Sequence, residues 1–159
     1  MSIAVRLASL DSSEDMTCVV DLLNQYAQHP MGQSRGLDEV VLEALPNSLR
    51  THSLTRVFLA ESGEQAVGIA TCFIGFSTFK AKQLINIHDL FVSDVARGQG
   101  VGGMLIDQVK AYGAEQGYCA VTLEVVADNP AKEIYAHKGF AGISAETGGQ
   151  YYFGKCSLD

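Results

Sequence analysis

Hydrophobic residues recur at two different periods along the chain, and these periods divide it into helical and extended stretches. Behind the polar run "DSSED" they recur every three to four residues, which predicts an amphipathic helix. The same spacing returns behind Gly36 and predicts a second helix, joined to the first by the loop "HPMGQSRG". The apolar positions are Met16, Val19, Val20, Leu23 and Tyr26 in the first helix and Leu37, Val40, Val41, Ala44 and Leu45 in the second. Two helices are therefore expected to open the chain.

From Arg56 the pattern changes to short runs of β-branched and aromatic residues, which predict strands. The runs "RVFLAES", "AVGIATCFIGF" and "LINIHDLFV" predict an antiparallel meander. A helical pattern ending at Gly117 and the run "CAVTLEVV" follow, so this part predicts a strand–helix–strand unit with parallel strands. A short helix is expected after Pro130, ending at Gly139, and two strands around the turn "TGG" are expected to close the chain.

The composition suits one α/β domain over residues 1–159, with 47% hydrophobic and 18% charged residues. A net charge of -7 disfavours nucleic acid and anionic membrane as partners. No apolar run reaches the ~20 residues of a membrane span, and no signal-peptide core follows the first residue, so a cytoplasmic protein is expected. The four cysteines are widely spaced without a CxxC pair, which argues against metal and predicts core packing.

A glycine-rich stretch, "RGQGVGG", lies between a predicted strand and a predicted helix. A tight connection needs only one or two glycines. The spacing also matches the dinucleotide fingerprint GxGxxG with Glu124 downstream, but this loop starts late after its strand, and the remaining chain is too short for a doubly wound sheet. We favour a third interpretation, in which backbone N–H groups at a helix N-terminus face a pyrophosphate and Arg97 adds charge. The glycines are Gly98, Gly100, Gly102 and Gly103.

This stretch resembles the acetyl-CoA-binding motif of the GNAT N-acetyltransferase superfamily, because Arg97-x-x-Gly100-x-Gly102 follows a strand that ends in "DLFV". The run "NPAKEIYAHKGF" resembles the second motif of the same superfamily. Within it, "GFSTFKAKQLINIHDLFV" is most similar to the diamine (spermidine/spermine) N-acetyltransferase-like branch. The chain departs from that branch at His88, where the branch has Glu, and at Asp128, where many members have Asn.

The resemblance implies a fold and a reaction. The fold is an α/β GNAT fold, with a mixed, mostly antiparallel central sheet, a splayed parallel strand pair, and helices on both faces. In the reaction an amine attacks the thioester of acetyl-CoA, the acyl-donor substrate, and CoA leaves as a thiol, with no metal involved. The residues that the resemblance assigns to acetyl-CoA are Leu90, Phe91, Val92, Arg97, Gly98, Gln99, Gly100, Val101, Gly102, Gly103, Asp128, Asn129 and Tyr135.

Tyr135 is also the predicted acid for the departing thiolate, again by resemblance. A Tyr hydroxyl with an ordinary pKa of about 10 is a weaker acid than a thiol of about 8.5, so it is expected to donate a hydrogen bond as charge develops. The alternative is a Tyr that only packs in the core. For Asp128 and Asn129, a helix cap ahead of Pro130 is an equally good explanation.

His88 is the predicted proton acceptor, directly or through a water, because imidazole titrates near neutral pH. Strand alternation places it on one face with Asn86, Leu90 and Val92. A His satisfied by backbone or solvent is the alternative.

The acceptor is expected to be the primary amine of a small molecule, such as a polyamine or an amino-acid-like amine. Asp38, Glu39 and Glu43 of the second predicted helix would suit a polyamine, although surface acids are ordinary on an amphipathic helix. A protein or peptide N-acetyltransferase and a non-catalytic acyl-CoA-binding domain remain as alternatives. A homodimer is plausible from the family and from exposed terminal strand edges.

Overall fold

The computed structural model describes residues 2–142 and 151–158. In this part of the chain one strand and two helices precede three consecutive strands, and a short 3-10 turn at Asp94–Ala96 lies ahead of the third helix. The helices are Ser13–Gln28 (α1), Glu39–Thr51 (α2), Val101–Glu115 (α3) and Lys132–His137 (α4). The strands are Ile3–Leu7 (β1), Thr55–Ser62 (β2), Gln65–Ser77 (β3), Lys82–Val92 (β4), Ala120–Val126 (β5), Ala141–Gly142 (β6) and Tyr151–Ser157 (β7). Among the described helices, none combines the length and hydrophobicity of a transmembrane span.

One sheet contains the described strands in the order β1-β2-β3-β4-β5-β7-β6. Neighbouring strands are antiparallel, except for the parallel pair of β4 and β5. Helices α1 and α2 cover one face of the sheet, and α3 covers the other. The predicted mixed sheet with helices on both faces is confirmed.

Two apolar clusters hold the layers together, one on each face of the sheet. Val101, Leu105 and Val109 of α3 are buried on the first face, as their helical spacing predicts. Val19 and Leu22 of α1 are buried on the second face. Three of the four cysteines are buried, as predicted, and Cys18 is partly buried.

The chain opens with strand β1, so the prediction that two helices come first was wrong. β1 pairs antiparallel with β2 from Ile3 opposite Ser62 to Leu7 opposite Phe58. It is an edge strand of five residues, in which Ile3 and Val5 are half-buried against the cluster under α3 and the other three residues are exposed. Its strand conformation depends on pairing with β2, which local periodicity cannot show. The predicted "TGG" turn between the last two strands lies outside the described residues.

A β-bulge at His88 changes which side chains of β4 share a face. Thr71 pairs with Asp89, while its neighbour Cys72 pairs with Ile87, which leaves His88 as the extra residue. Strict alternation would put His88 on one face with Leu90 and Val92, and that prediction was wrong. Leu90 and Val92 pack against the cluster under α3, whereas the His88 ring lies edge-on to Phe73 of the opposite cluster, 5.4 Å between centroids.

Strands β4 and β5 separate just beyond this bulge. Their parallel pairing covers only three positions, from Ile85 opposite Val121 to Ile87 opposite Leu123. The Asn86 amide spans the branch point, donating to Thr122 Oγ1 at 3.0 Å and to the Glu124 carboxylate at 3.2 and 3.3 Å. The edge of β4 that faces β5 is therefore unpaired from His88 onward, and a gap opens between the two strands.

Arg6 joins β1 to α1 and β2 on the side of the sheet away from this gap. Its guanidinium donates to both carboxylate oxygens of Asp15, at 2.7 and 2.8 Å, and to Glu61 at 2.6 and 3.0 Å. The Arg6 hydrogen bonds hold the pKa of the buried Asp15 carboxyl below its usual value, and a further bond from the Ser9 backbone N–H contributes. Asp15 in turn lies at the start of α1, whose N-cap is Ser12.

Replacing Arg6 by Leu should lower the free energy of unfolding at pH 7 by about 1–3 kcal/mol, because the buried Asp15 carboxylate loses its cation. The loss is to be measured by urea denaturation. Since the folded pKa of Asp15 is depressed, this stabilisation is present above an unfolded pKa of about 3.9 and is lost as pH falls through the folded value. Glu61→Gln, which removes the more exposed partner, serves as the control and should cost less than about 1 kcal/mol.

Candidate active site

The glycine loop opens α3 with a bare backbone facing empty space. Gly98 and Gly100 have φ values of 75° and 77°, in the left-handed region that favours glycine, and a Cβ at either position would meet nothing within 4 Å. Gly100 is the N-cap of α3 and has no side chain to bind the first N–H groups of the helix. Those groups are left for an anion, as the pyrophosphate interpretation requires.

Two cations flank this loop. The Arg97 side chain donates from Nε to the Val92 carbonyl at 3.2 Å, and it pairs with Asp94 at 3.0 Å. Lys138 approaches from the end of α4, where its ammonium pairs with Asp107. The hollow between them, here called the glycine cradle, has a volume of about 480 Å³. Its lining is Val92, Ala96, Arg97, Gly98, Gly100, Val101, Gly102, Gly103, Ile134, His137 and Lys138.

A second hollow, the tyrosine cleft, continues from the cradle into the gap beyond the paired part of β4 and β5. It measures about 380 Å³ and shares Arg97, Gly98 and Gly102 with the cradle. Tyr26 of α1 and Tyr135 of α4 both line it, and the Tyr26 ring stacks on Phe91 with centroids 5.6 Å apart. The lining is Tyr26, His29, Met31, Leu90, Phe91, Val92, Arg97, Gly98, Gly102, Asn129, Pro130, Ala131, Ile134 and Tyr135.

Tyr135 is held as a neutral hydrogen-bond donor in this cleft. Burial, reinforced by nearby Tyr26, raises the pKa of Tyr135 to about 12. The ring packs edge-on against Phe140, with centroids 6.0 Å apart, so its orientation is fixed by the core beneath α4. At neutral pH the hydroxyl therefore keeps its proton and can donate it to a developing negative charge in a hydrogen bond.

A third hollow, the helix pocket, lies on the other side of Tyr26, between α1 and α2. It measures about 300 Å³, and its one charged lining residue among the described ones is Asp89. Burial raises the pKa of Asp89, and neighbouring His88 lowers it in part. Burial and the Asp89 charge together raise the pKa of Tyr26. The lining is Leu23, Tyr26, Ala27, Gly32, Gln33, Leu37, Val41, Leu45 and Asp89.

The loop after α1 closes the helix pocket through a tight backbone approach. A Cβ on Gly32 would lie 2.2 Å from the Tyr26 carbonyl oxygen, so this position admits only glycine in the present packing. The Asn24 side chain accepts a hydrogen bond from the Leu37 N–H at 2.8 Å and ties the start of α2 to α1. Ser93 donates to Gln25 at 3.0 Å, which fixes α1 against the end of β4.

The structure brings most of the predicted cofactor residues together and leaves a few apart. Those lining the cradle or the tyrosine cleft are Leu90, Phe91, Val92, Arg97, Gly98, Gly100, Val101, Gly102, Gly103, Asn129 and Tyr135. Asp128 is exposed and lines neither hollow, and the Gln99 amide turns back to the Val95 carbonyl at 3.3 Å. His88 is exposed and lines none of the three hollows, but it lies beside Asp89.

Three residues of this region carried no predicted role: Tyr26, Asp89 and Lys138. Tyr26 occupies an apolar position of α1, so its spacing indicates only the core. Asp89 could have been noticed in the sequence, because an acid interrupts the apolar run "LINIHDLFV". Lys138 could also have been noticed, because it follows Tyr135 by three residues in "NPAKEIYAHKGF". Glu124, which has no evident partner in the sequence, binds the Asn86 amide.

Comparisons with known proteins agree with this geometry. The model of the acetyltransferase (GNAT) family matches residues 19–140, which include the glycine cradle and the tyrosine cleft. The chain belongs to the GNAT acetyltransferase family. This GNAT protein is 26% identical over 129 residues to the uncharacterized N-acetyltransferase YhfO of Bacillus subtilis (strain 168), covering 80% of the present chain and 85% of the relative.

Solved structures share the fold of this acetyltransferase. The NatC complex bound to Gag peptide and CoA includes a chain that superposes with a TM-score of 0.74 at 15% identity, over 100% of both chains. An aminoglycoside acetyltransferase from an uncultured soil metagenomic sample superposes with a TM-score of 0.70 at 20% identity, over 85% of this chain and 86% of that one. At these identities the likeness concerns the fold.

The GNAT fold and the use of acetyl-CoA as acyl donor are confirmed. The closer resemblance to the diamine branch is not confirmed by the relatives found. The dinucleotide interpretation of the glycines is excluded by the sheet, because the described strands form one parallel pair and no doubly wound unit. No cluster of three metal-ligating side chains occurs among residues 2–142 and 151–158.

Replacing Gly100 by Ala should weaken acetyl-CoA binding about tenfold, because the new Cβ enters the cradle and strains the N–H groups that face the phosphates. Gly117→Ala is the matched control, since Gly117 has a similar φ of 74° and equally open surroundings but ends α3 at its other end. Calorimetric titration with acetyl-CoA measures the effect. Equal affinities of the two variants for acetyl-CoA would contradict the binding of its phosphates in the glycine cradle.

Proposed function

We propose that this protein acetylates the primary amine of a small molecule by direct attack on acetyl-CoA. One observation carries the proposal: the tyrosine cleft and the helix pocket meet at Tyr26, with Asp89 on one side and Tyr135 on the other. A thioester reaching along the cleft from the cradle therefore ends beside a partly buried carboxylate. The amine and the thioester can therefore meet where the two hollows join at Tyr26.

Asp89 is the proposed proton acceptor, with His88 as the route to solvent. An amine with a pKa near ~10 arrives as an ammonium ion, which the Asp89 carboxylate attracts and then deprotonates. Burial raises the pKa of this carboxyl and so makes it a better base than an exposed aspartate. The predicted role of His88 as direct acceptor stays a prediction, and its exposed position beside Asp89 favours proton exit.

The bond changes then follow from the groups on either side. The amine lone pair forms a C–N bond to the thioester carbon, and the oxyanion accepts hydrogen bonds from the unpaired edge of β4 among residues 90–92. The C–S bond breaks, the nitrogen loses its second proton, and the Tyr135 hydroxyl stabilises the departing thiolate until it becomes a thiol. The products are the amide, CoA and one proton.

Peptide acetylation is the one other acceptor assignment considered. The NatC complex was crystallised with a peptide, which supports peptide acetylation as the second candidate for a chain of this fold. A single domain over residues 1–159, a cytoplasmic location and a homodimer stay predictions from the sequence. A polyamine or amino-acid-like acceptor belongs to the same proposed reaction.

The function is tested by measuring CoA thiol release from acetyl-CoA with polyamines, monoamines, amino acids, aminoglycosides and peptides, against a control without acceptor. Release stimulated by small amines supports the proposal. Stimulation by peptides alone would assign the protein to the second candidate. Binding of acetyl-CoA without release under any condition would favour a non-catalytic acyl-CoA-binding domain.

Tyr135→Phe should lower kcat about 10- to 100-fold and leave the affinity for acetyl-CoA within about twofold, because only the hydroxyl that faces the leaving sulfur is lost. The ring still packs on Phe140, so the folded structure is retained. Steady-state kinetics and calorimetry separate the two effects. An unchanged kcat would remove Tyr135 from the chemistry.

Asp89→Asn should lower kcat/KM by about 100-fold or more and abolish its acidic limb, since activity is lost as the pH falls through the raised pKa of Asp89. His88→Ala should move that limb to higher pH, because His88 lowers the pKa of Asp89. A raised folded pKa destabilises the protein above the unfolded value, so Asp89→Asn should not reduce Tm at pH 7. If His88 itself were the base, His88→Ala would abolish the limb while Asp89→Asn preserved it.

A further inference from the structure

The helix pocket is lined mostly by apolar side chains, with Tyr26, Gln33 and Asp89 as its polar lining residues. One wall of the pocket comes from α2 and the residues just before it. Its side chains are spaced by four residues, so they lie on one face: Leu37, Val41 and Leu45. Leu23 and Ala27 of α1 form the facing wall. The volume of about 300 Å³ lies near the lower end of the range for small-molecule pockets. The pocket therefore offers an apolar body of modest size a place to bind.

The acids that would suit a polyamine lie elsewhere. Glu39 and Glu43 of α2 are exposed and do not line the helix pocket. Asp38 is paired with Arg35 at 3.7 Å on the surface, where both side chains are more than half exposed. Asp89 is thus left as the single carboxylate among the described lining residues.

One carboxylate at one end of an apolar pocket recognises one ammonium group. A second ammonium on the same molecule would meet leucine and valine side chains and, at the exposed side, Gln33, with no second carboxylate among the described lining residues, so it would lose hydration without gaining a counter-charge. Tyr26 lines both the helix pocket and the tyrosine cleft and lies near Asp89, so an amine held by Asp89 is placed where the pocket meets the cleft that would hold the thioester. The ammonium group of the acceptor thus has a place at Asp89, and its apolar body has a place between α1 and α2.

From this lining we infer that the acceptor is a primary monoamine with an apolar body, of the alkylamine or arylalkylamine class, and that diamines are selected against. The inference rests on the proposed function and deepens it. The ammonium binds at Asp89, and the apolar body lies between α1 and α2 against Leu37, Val41 and Leu45. Removal of that body from water supplies the binding energy for this part of the acceptor.

The test compares hexylamine with 1,6-diaminohexane as acceptors for the wild-type protein, because the two differ only in the second amine. The expected result is a kcat/KM at least about tenfold higher for hexylamine. Equal use of both amines, or a preference for the diamine, would overturn the inference and leave the proposed function intact. Failure of every amine in the panel would instead overturn the proposed function.

A pair of neighbouring substitutions tests the same point from the protein side. Val41→Asp adds a carboxylate at the rim of the helix pocket, where Val41 is 40% exposed. The position lies in the first turn of α2, where the helix dipole favours a negative charge. It should lower the preference for hexylamine over the diamine about fivefold or more. Val40→Asp, at a position 71% exposed and outside the pocket lining, should leave the ratio unchanged. The same shift in both variants would show a general charge effect and contradict the inference.

Discussion

The short pairing of β4 with β5 is the constraint from which the site develops. Three parallel positions hold the strands together, and beyond Ile87 the extra residue of the bulge turns β4 away from its neighbour. In an ordinary sheet such backbone groups would either bind water at an exposed edge or pair with another strand. In this protein the gap becomes the tyrosine cleft, which is lined by the part of β4 that has no partner in β5.

The glycine cradle explains how an acidic protein binds an anionic acyl donor. A net charge of -7 repels a polyphosphate at long range, but the glycine cradle brings a helix N-terminus, Arg97 and Lys138 to one place. Each cation is also paired with a carboxylate, Asp94 or Asp107, which fixes its position before ligand arrives. Local geometry therefore outweighs overall charge at this site.

Helix α1 contributes to two of the hollows. Tyr26 lines both the helix pocket and the tyrosine cleft, while Leu23 and Ala27 of the same helix line the helix pocket. The helix is held at one end by the Arg6–Asp15 pair and at the other by Gln25 and Ser93. A helix held at both ends fixes Tyr26 where the two hollows meet, and in the proposed reaction this would bring the amine and the thioester together in one orientation.

The sequence alone determined the α/β class of the fold and the glycine-rich start of α3, because helical period, strand composition and a glycine motif are local properties of the chain, while Tyr135 was expected from the family resemblance. It did not determine β1, the face of His88, or the positions of Tyr26 and Asp89 beside the hollows. A bulge reverses strand alternation, a five-residue edge strand shows its alternation at only two half-buried positions, and a tyrosine on a core-facing stripe is indistinguishable from packing until its neighbours are known. Only the tertiary structure decided these points, since each depends on contacts between segments far apart in sequence: α1 reaches the end of β4 and the start of α4 across the gap in the sheet.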